Sequence, residues 1–214
     1  MTEPIGCVLA VCAASDDVVL DGIGASAIDK RPHPGRVRVA ELGLVTDHVC
    51  DTRHHGGIDQ AVYAYSELEA RRWADELGRD LPYGWFGENL RIDGIAVTDA
   101  VVGERWAIGN DGLVVETTIP RVPCRTFGVW AGEARWVKRF MERADTGSYL
   151  RVLQPGTVSA GDEVRILRRP DHGVRVRHLL AGTTADQTSL RTLLNDPDLA
   201  PKVRREAGKR LAHT

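Results

Sequence analysis

The sequence predicts a mainly β fold with helices, an α+β arrangement, and three observations carry that reading. Short apolar or alternating runs recur at close spacing between turns rich in Gly, Pro and Asp, which is the rhythm of a β-barrel or sandwich and differs from that of a parallel βαβ sheet. Helical periodicity is confined to Glu67–Leu77, Gly132–Arg143 and the tail. The composition then shifts at Arg168-Arg169-Pro170-Asp171-His172-Gly173, which divides a β-rich domain, residues 1–168, from a small helical one, residues 169–214.

In chain order, Gly6 to Val11 is an apolar strand candidate. The turn Ala27–Gly35 leads into Arg36-Val37-Arg38-Val39, which alternates as a half-buried strand does. Ala61 to Tyr65 reads as a strand. Ser66-Glu67-Leu68-Glu69 is a capping box opening the helix Glu67 to Leu77, with Gly78 its C-cap and Leu68, Trp73 and Leu77 its core contacts. Pro82–Leu90 is a loop dense in glycine and aromatics, suited to lining a pocket. Leu113 to Val115 is a short buried strand, with Pro120 and Pro123 expected to stop its ladder. Thr146 to Val152 returns to a strand, and a turn, short strand and second turn fill Pro155 to Val164. Three short helices follow near Arg177–Ala181, Gln187–Leu194 and Leu199–Leu211, with Asp186 the N-cap of the second.

Hydrophobic content of 43% and charged content of 27% are ordinary for a globular protein. The net charge of -2 hides an asymmetry: residues 165–214 carry 11 Lys+Arg against 5 Asp+Glu, and the remainder is acidic. The basic residues lie within amphipathic patterns and no aromatic platform accompanies them, so nucleic acid is not expected as a partner. No stretch approaches the ~20 apolar residues of a membrane span, so no membrane partner is expected. Met1-Thr2-Glu3-Pro4 lacks a basic leader region. Cysteines at 7, 12, 50 and 124 have neither zinc-finger spacing nor disulfide-scaffold density, which predicts a cytoplasmic protein with reduced thiols.

Two stretches carry chemistry. In Thr118-Ile119-Pro120-Arg121-Val122-Pro123-Cys124-Arg125 the prolines set Cys124 on a rigid turn, and flanking guanidinium groups favour its thiolate, the form that attacks electrophiles and binds soft metals. A small buried hydrophobe is the competing reading. In Thr46-Asp47-His48 and Thr52-Arg53-His54-His55-Gly56-Gly57-Ile58-Asp59-Gln60, glycines let the backbone approach a ligand closely. One reading is a metal held by His48, His54, His55 and Asp47 or Asp59; the favoured one is an anion or cofactor cradle built from Arg53 and the loop amides.

Pro120-Arg121-Val122-Pro123-Cys124, His55-Gly56-Gly57-Ile58-Asp59-Gln60-Ala61-Val62, Gly87-Glu88-Asn89-Leu90 and Gly147-Ser148-Tyr149 through Pro155-Gly156 to Gly161-Asp162 occur in the order and spacing of a MOSC domain, which the chain resembles along nearly its whole length. The name comes from the C-terminal domain of molybdenum cofactor sulfurase. The tail resembles the three-helix extension of a bacterial branch of this family. The resemblance implies a β-barrel and a molybdenum-molybdopterin cofactor whose metal is ligated by Cys124. It implies further that Lys30, Arg53, His55, Gly56, Gly57, Asn89, Arg121 and Tyr149 surround that cofactor. The chain departs from the family pattern at Thr46-Asp47-His48, where a glycine-aspartate pair is expected.

Relatives such as the mitochondrial amidoxime-reducing component reduce N-hydroxylated compounds, so the resemblance implies a small N-hydroxylated substrate. His54, His55 and Glu88 are the titratable candidates to supply protons. No flavin, haem or iron-sulfur signature is present, so electrons are expected from an external reductase or electron carrier. The oligomeric state is open, a homodimer included. Two alternatives stand beside this reading: a non-enzymatic carrier of sulfur or cofactor through Cys124, and a cysteine hydrolase pairing Cys124 with His54 or His55.

Overall fold

The structure, a computed structural model, describes residues 5–53, 55–183 and 185–212. Thirteen strands are present among them: β1 (Ile5–Ala13), β2 (Val18–Leu20), β3 (Gly24–Ser26), β4 (Arg31–Pro32), β5 (Val37–Ala40), β6 (Gly43–Leu44), β7 (Val62–Ser66), β8 (Leu90–Asp93), β9 (Arg105–Ile108), β10 (Leu113–Pro120), β11 (Ser148–Gln154), β12 (Gly156–Val158) and β13 (Glu163–Arg168). The helices are α1 (Glu67–Leu77), α2 (Arg125–Ala131), α3 (Trp136–Arg143), α4 (Gln187–Leu194) and α5 (Pro201–Ala212).

Seven strands close into a barrel in the order β13, β9, β10, β11, β7, β8, β1, and the ring is sealed by β1 against β13, with Ile5 opposite Arg165. Seven is odd, so strands in a closed ring cannot alternate direction all the way round. The exception is β7 with β8, the parallel pair, where Ala64 faces Leu90. A parallel neighbour needs a crossover, and α1 supplies it, so one βαβ unit sits inside an otherwise antiparallel barrel. The hairpin of β2 and β3 and the small sheet of β12, β5 and β6 stand outside the ring.

The expected helix over Glu67–Leu77 is α1, closed by Gly78 at φ 63°. Its expected capping box is absent: Ser66 makes no side-chain cap bond, and Glu69 turns inward to accept from Thr98 N–H at 3.3 Å. The inward face is Glu69, Ala70 and Trp73, which leaves Leu68 outside and 58% exposed, against the expectation that it joins the core. The strand expected at Leu113–Val115 runs on to Pro120, since a proline at the strand's end forfeits no interior ladder bond. The helix expected over Gly132–Arg143 is α3, which starts four residues later at Trp136; α2, which the sequence reading did not include, precedes it and ends at Gly132 in the left-handed conformation. In the tail the first expected helix is a 3₁₀ turn, Val176–Leu179, while α4 is capped by Asp186 as expected, its carboxylate accepting from Ser189 N–H at 3.0 Å.

Val8, Val62, Ile92, Trp106, Ile108 and Val164 fill the core, and Val176, Leu193 and Val203 of the tail belong to the same apolar cluster. Outside the ring, α1, α2, α3 and the loop at 82–87 enclose an aromatic cluster. Tyr65 stacks on Phe86 at 4.1 Å, Trp73 meets Trp136 at 4.6 Å, and Phe127 stands edge-on to Phe140 at 5.1 Å. Each such pair contributes roughly 0.5–1.5 kcal/mol beyond its area burial, so this cluster is a stiff floor for whatever lies above it.

Candidate functional site

Above that floor lies a cavity of about 900 Å³, at the upper end of the 300–1,000 Å³ usual for ligand pockets. β10 ends at Pro120, and Arg121 to Cys124 cross from it to the start of α2, of which Cys124 is the N-cap residue. The glycine loop enters beside it, with Gly56 at φ 77° and Gly57 at φ 83°, left-handed values that suit glycine. Thr118 on β10 stitches the two walls: its hydroxyl lies 2.7 Å from the Asp59 carbonyl and 3.0 Å from the Tyr149 carbonyl.

Cys124 is half-buried, and burial by itself raises a thiol pKa. The His55 side chain hydrogen-bonded to the sulfur, the Arg121 charge and the Phe127 backbone N–H outweigh that effect and hold Cys124 down at about 6. About 90% of a group with that pKa is thiolate at pH 7. Cys12 is the contrast, since burial pushes it up to about 12 and leaves it an inert thiol. The second arginine expected to act on Cys124, Arg125, is exposed and reaches toward Gly22 of the β2–β3 hairpin.

Arg121 is only 5% exposed, and its guanidinium carbon lies 3.8 Å above the Phe127 ring. One of its nitrogens, Nη1, is buried without a hydrogen-bond partner. A buried unpaired donor costs about 1–3 kcal/mol, more when charged, and an anion entering the cavity would relieve it. Tyr149 stands beside Arg121, its phenol pushed up by burial and drawn back by the Arg121 charge.

The sequence profile of the MOSC domain matches residues 51–165. The chain belongs to the MOSC domain family. Within it, the chain is 32% identical over 152 residues to YflK of Bacillus subtilis, a protein described as uncharacterized, covering 71% of this chain and 68% of that one. It is 29% identical over 154 residues to a protein of Gibberella moniliformis named reductase, covering 71% of this chain but 27% of that protein. The crystal structure of YiiM from Geobacillus stearothermophilus superposes with a TM-score of 0.76 at 22% identity, over 96% of this chain and 99% of that one, which supports the fold alone.

In this MOSC chain the cavity wall takes in Lys30, Arg53, His55, Gly56, Gly57, Asn89, Arg121, Cys124 and Tyr149. Their duties differ. Asn89 is spent on structure: its Oδ1 accepts from Tyr63 N–H at 3.0 Å, and its Nδ2 donates to Asp47 at 2.7 Å and to the Cys12 carbonyl at 3.2 Å. Lys30 is ion-paired with Asp47, which lies in the stretch Thr46-Asp47-His48 where the chain departs from the family pattern. Gly84, at φ 89°, lets the 82–87 loop press against Lys30, since a Cβ there would meet the Lys30 carbonyl at 2.0 Å.

Glu88 is a correction to the sequence reading. It does not line the cavity: fully buried, its carboxylate accepts from Gly84 N–H at 2.9 Å, Phe86 N–H at 3.0 Å and the Arg91 guanidinium. With its lone pairs occupied there, it braces the aromatic loop and is not placed to hand a proton to the cavity. His54 lies outside the described residues. The metal set read from the loop does not converge either, since Asp47 is paired with Lys30, Asp59 accepts from Lys202 N–H at 2.8 Å, and His48 turns to Asp17 at 2.6 Å. Sequence reasoning missed Gln60, Tyr63 and the hairpin residues Ile23 and Ala25, which also line the cavity. Gln60 lies within the quoted motif without having been given a role, and the hairpin's apolar side chains bear no chemical signal.

Proposed function

We propose that this MOSC protein is a molybdenum-cofactor-dependent reductase that converts N-hydroxylated compounds, among them hydroxylated bases, amidoximes and hydroxylamines, to the corresponding amines or amidines. The observation that carries the reading is a thiol of pKa about 6 on the wall of a large cavity, beside a buried guanidinium with an unpaired nitrogen. A thiolate suits a metal already chelated by the dithiolene of its pterin, and the unpaired Arg121 donor with the amides of the glycine loop suits the pterin's phosphate. Lys30 is matched by Asp47, so Arg121 is assigned the larger share of that anion. The cofactor supplies, when bound, a centre able to exchange the two electrons that N–O cleavage consumes.

The net reaction takes R–NHOH, two electrons and two protons to R–NH₂ and water. His55, hydrogen-bonded to Cys124 at the cavity wall, is assigned the task of moving a proton toward the leaving oxygen. Tyr149 and Tyr63 wall the cavity with aromatic rings 5.3 Å apart, which limits water around the reacting group. Electrons are assigned to a separate reductase, and the site of action to the cytoplasm, where four free cysteines are at home. The name of the fungal relative is consistent with a reductive role.

The test is the molybdenum and pterin content of protein made in a host that synthesises the cofactor. The wild type should carry both at near one per chain and the Cys124→Ser variant should lose the metal. The loaded protein should then oxidise a chemical reductant only when an N-hydroxylated compound is added. A wild type without metal or pterin from such a host would remove the basis for the proposal, and thiol chemistry by the apoprotein would replace it.

A further inference from the structure

A second set of metal-binding side chains stands at the rim of the cavity, apart from Cys124. Asp17, at the entrance to β2, meets His48 and Cys50 from the stretch that follows β6. Each offers one ligand atom, and these atoms lie within 4.8 Å of one another. His48 Nε2 is 2.6 Å from Asp17 Oδ1, and Cys50 Sγ is 3.1 Å from the same oxygen. All three residues are exposed, so an ion can reach them without any opening of the core.

The donors are held in place by something other than each other. Asp47 precedes His48 directly, and its carboxylate is fixed by three groups: Ala14 N–H at 2.9 Å, Asn89 Nδ2 at 2.7 Å and the Lys30 ammonium. Ala14 lies three residues before Asp17. One half-buried anchor therefore ties the segment carrying Asp17 to the segment carrying His48 and Cys50, and does so at the end of β1 and the start of β8, two strands of the barrel. A chelate whose arms are pinned in advance loses little conformational freedom when an ion enters.

From this geometry we infer that Asp17, His48 and Cys50 form a binding site for a zinc-like divalent cation at the mouth of the cavity. One thiolate, one imidazole and one carboxylate are a donor set that zinc accepts, at about 2.3 Å for sulfur, 2.0–2.1 Å for nitrogen and 2.0–2.2 Å for oxygen. A tetrahedron with those bonds spaces its donors about 3.3–3.6 Å apart, so seating the ion moves Asp17 away from His48 by about 0.7 Å and from Cys50 by about 0.5 Å, shifts that exposed side chains can absorb. Three protein ligands leave a fourth position for water or for a donor atom of a molecule entering the cavity, because His48 and Cys50 also line its wall. The inference is independent of the molybdenum reading, which rests on Cys124.

Cobalt(II) serves as the probe, because thiolate ligation gives it a near-ultraviolet charge-transfer band and tetrahedral geometry gives it intense visible bands. Chelator-treated protein titrated with Co²⁺ should bind one ion with both signatures, and Zn²⁺ should displace it. Cys50→Ser should abolish the charge-transfer band. Removing even an outer-shell partner of a metal site costs roughly 10–100-fold in affinity, so loss of this direct ligand should cost at least about 100-fold. Cys124→Ser should leave the band and the affinity unchanged. Absence of binding at micromolar cobalt would overturn the inference, as would a band that survives Cys50→Ser and disappears with Cys124→Ser. Because Cys50 is exposed, its serine variant is expected to fold, and circular dichroism of that variant checks it.

Discussion

The depressed pKa of Cys124 gives the sharpest test of the site, and His55 is where to strike it. His55→Ala removes the hydrogen bond that leads the effects lowering the thiol, while the Arg121 charge and the Phe127 amide remain. The titration midpoint should therefore move up from about 6 toward 9.0. The assay is the rate of carbamidomethylation of cofactor-free protein against pH, in a Cys50→Ser background so that the exposed thiol does not report. A single rate at pH 7 would mislead. In the limit of full loss the thiolate fraction falls roughly 90-fold, from about 90% to about 1%. The thiolate's nucleophilicity meanwhile rises about 20-fold, because Brønsted slopes near 0.4–0.5 act over about three pKa units. The net change at pH 7 is then only about fivefold, and the midpoint is the quantity to read. A wild-type midpoint near 9, or one that His55→Ala leaves in place, would refute the account of this thiolate.

Glu69 and Phe127 supply two further tests. Glu69 is buried with Oε2 unpartnered, and burial raises its carboxyl from 4.5 to about 7. The folded state thus holds a proton that the unfolded chain releases between those values, so stability should fall as pH rises from 4.5 to 7, by about 3 kcal/mol at 1.36 kcal/mol per pKa unit. Glu69→Gln should flatten that fall in urea unfolding measured across the range, and an equally steep fall in the variant would remove Glu69 as its cause. Phe127→Ala should cost about 3–5 kcal/mol for a fully buried ring. Because Arg121 lies on that ring, the variant should also raise the Cys124 midpoint as the guanidinium loses its seat. A shift in stability with no change in the midpoint would separate the two roles.

The fold class and most of the cavity wall were legible because their signals are local. Helix α1 announces itself through Gly78, α4 through Asp186, and the cavity-lining stretches through glycine, proline and cysteine in fixed order. What escaped depends on distance in the chain. Glu88 reads in sequence as a proton donor and Glu69 as a capping-box residue, and only packing shows that the first is saturated by Gly84, Phe86 and Arg91 and the second is turned into the core. Asp17 gave no hint of a bond to His48 across 31 residues, nor Asp47 of its pairing with Lys30. Helix α2 was missed because its seven residues are too few to show a helical period, with Gly132 the one local sign of its end. Strands β8 and β9 are too short for periodicity to declare them, at four residues each.

The seal between β1 and β13 also has a bearing on the order of events during synthesis. Ile5 faces Arg165, and Lys202 reaches back to Gln60 across 142 residues, at the exit of the glycine loop. A chain emerging from its amino end therefore has Cys124 and His55 in hand well before it can close the ring, and closes the ring before α5 can grip the loop. Contacts of such sequence separation form slowly, because the chain entropy of the intervening loop must be lost first. Until residue 202 is available, the exit of the glycine loop lacks the contact to Gln60 that fastens it in the complete chain.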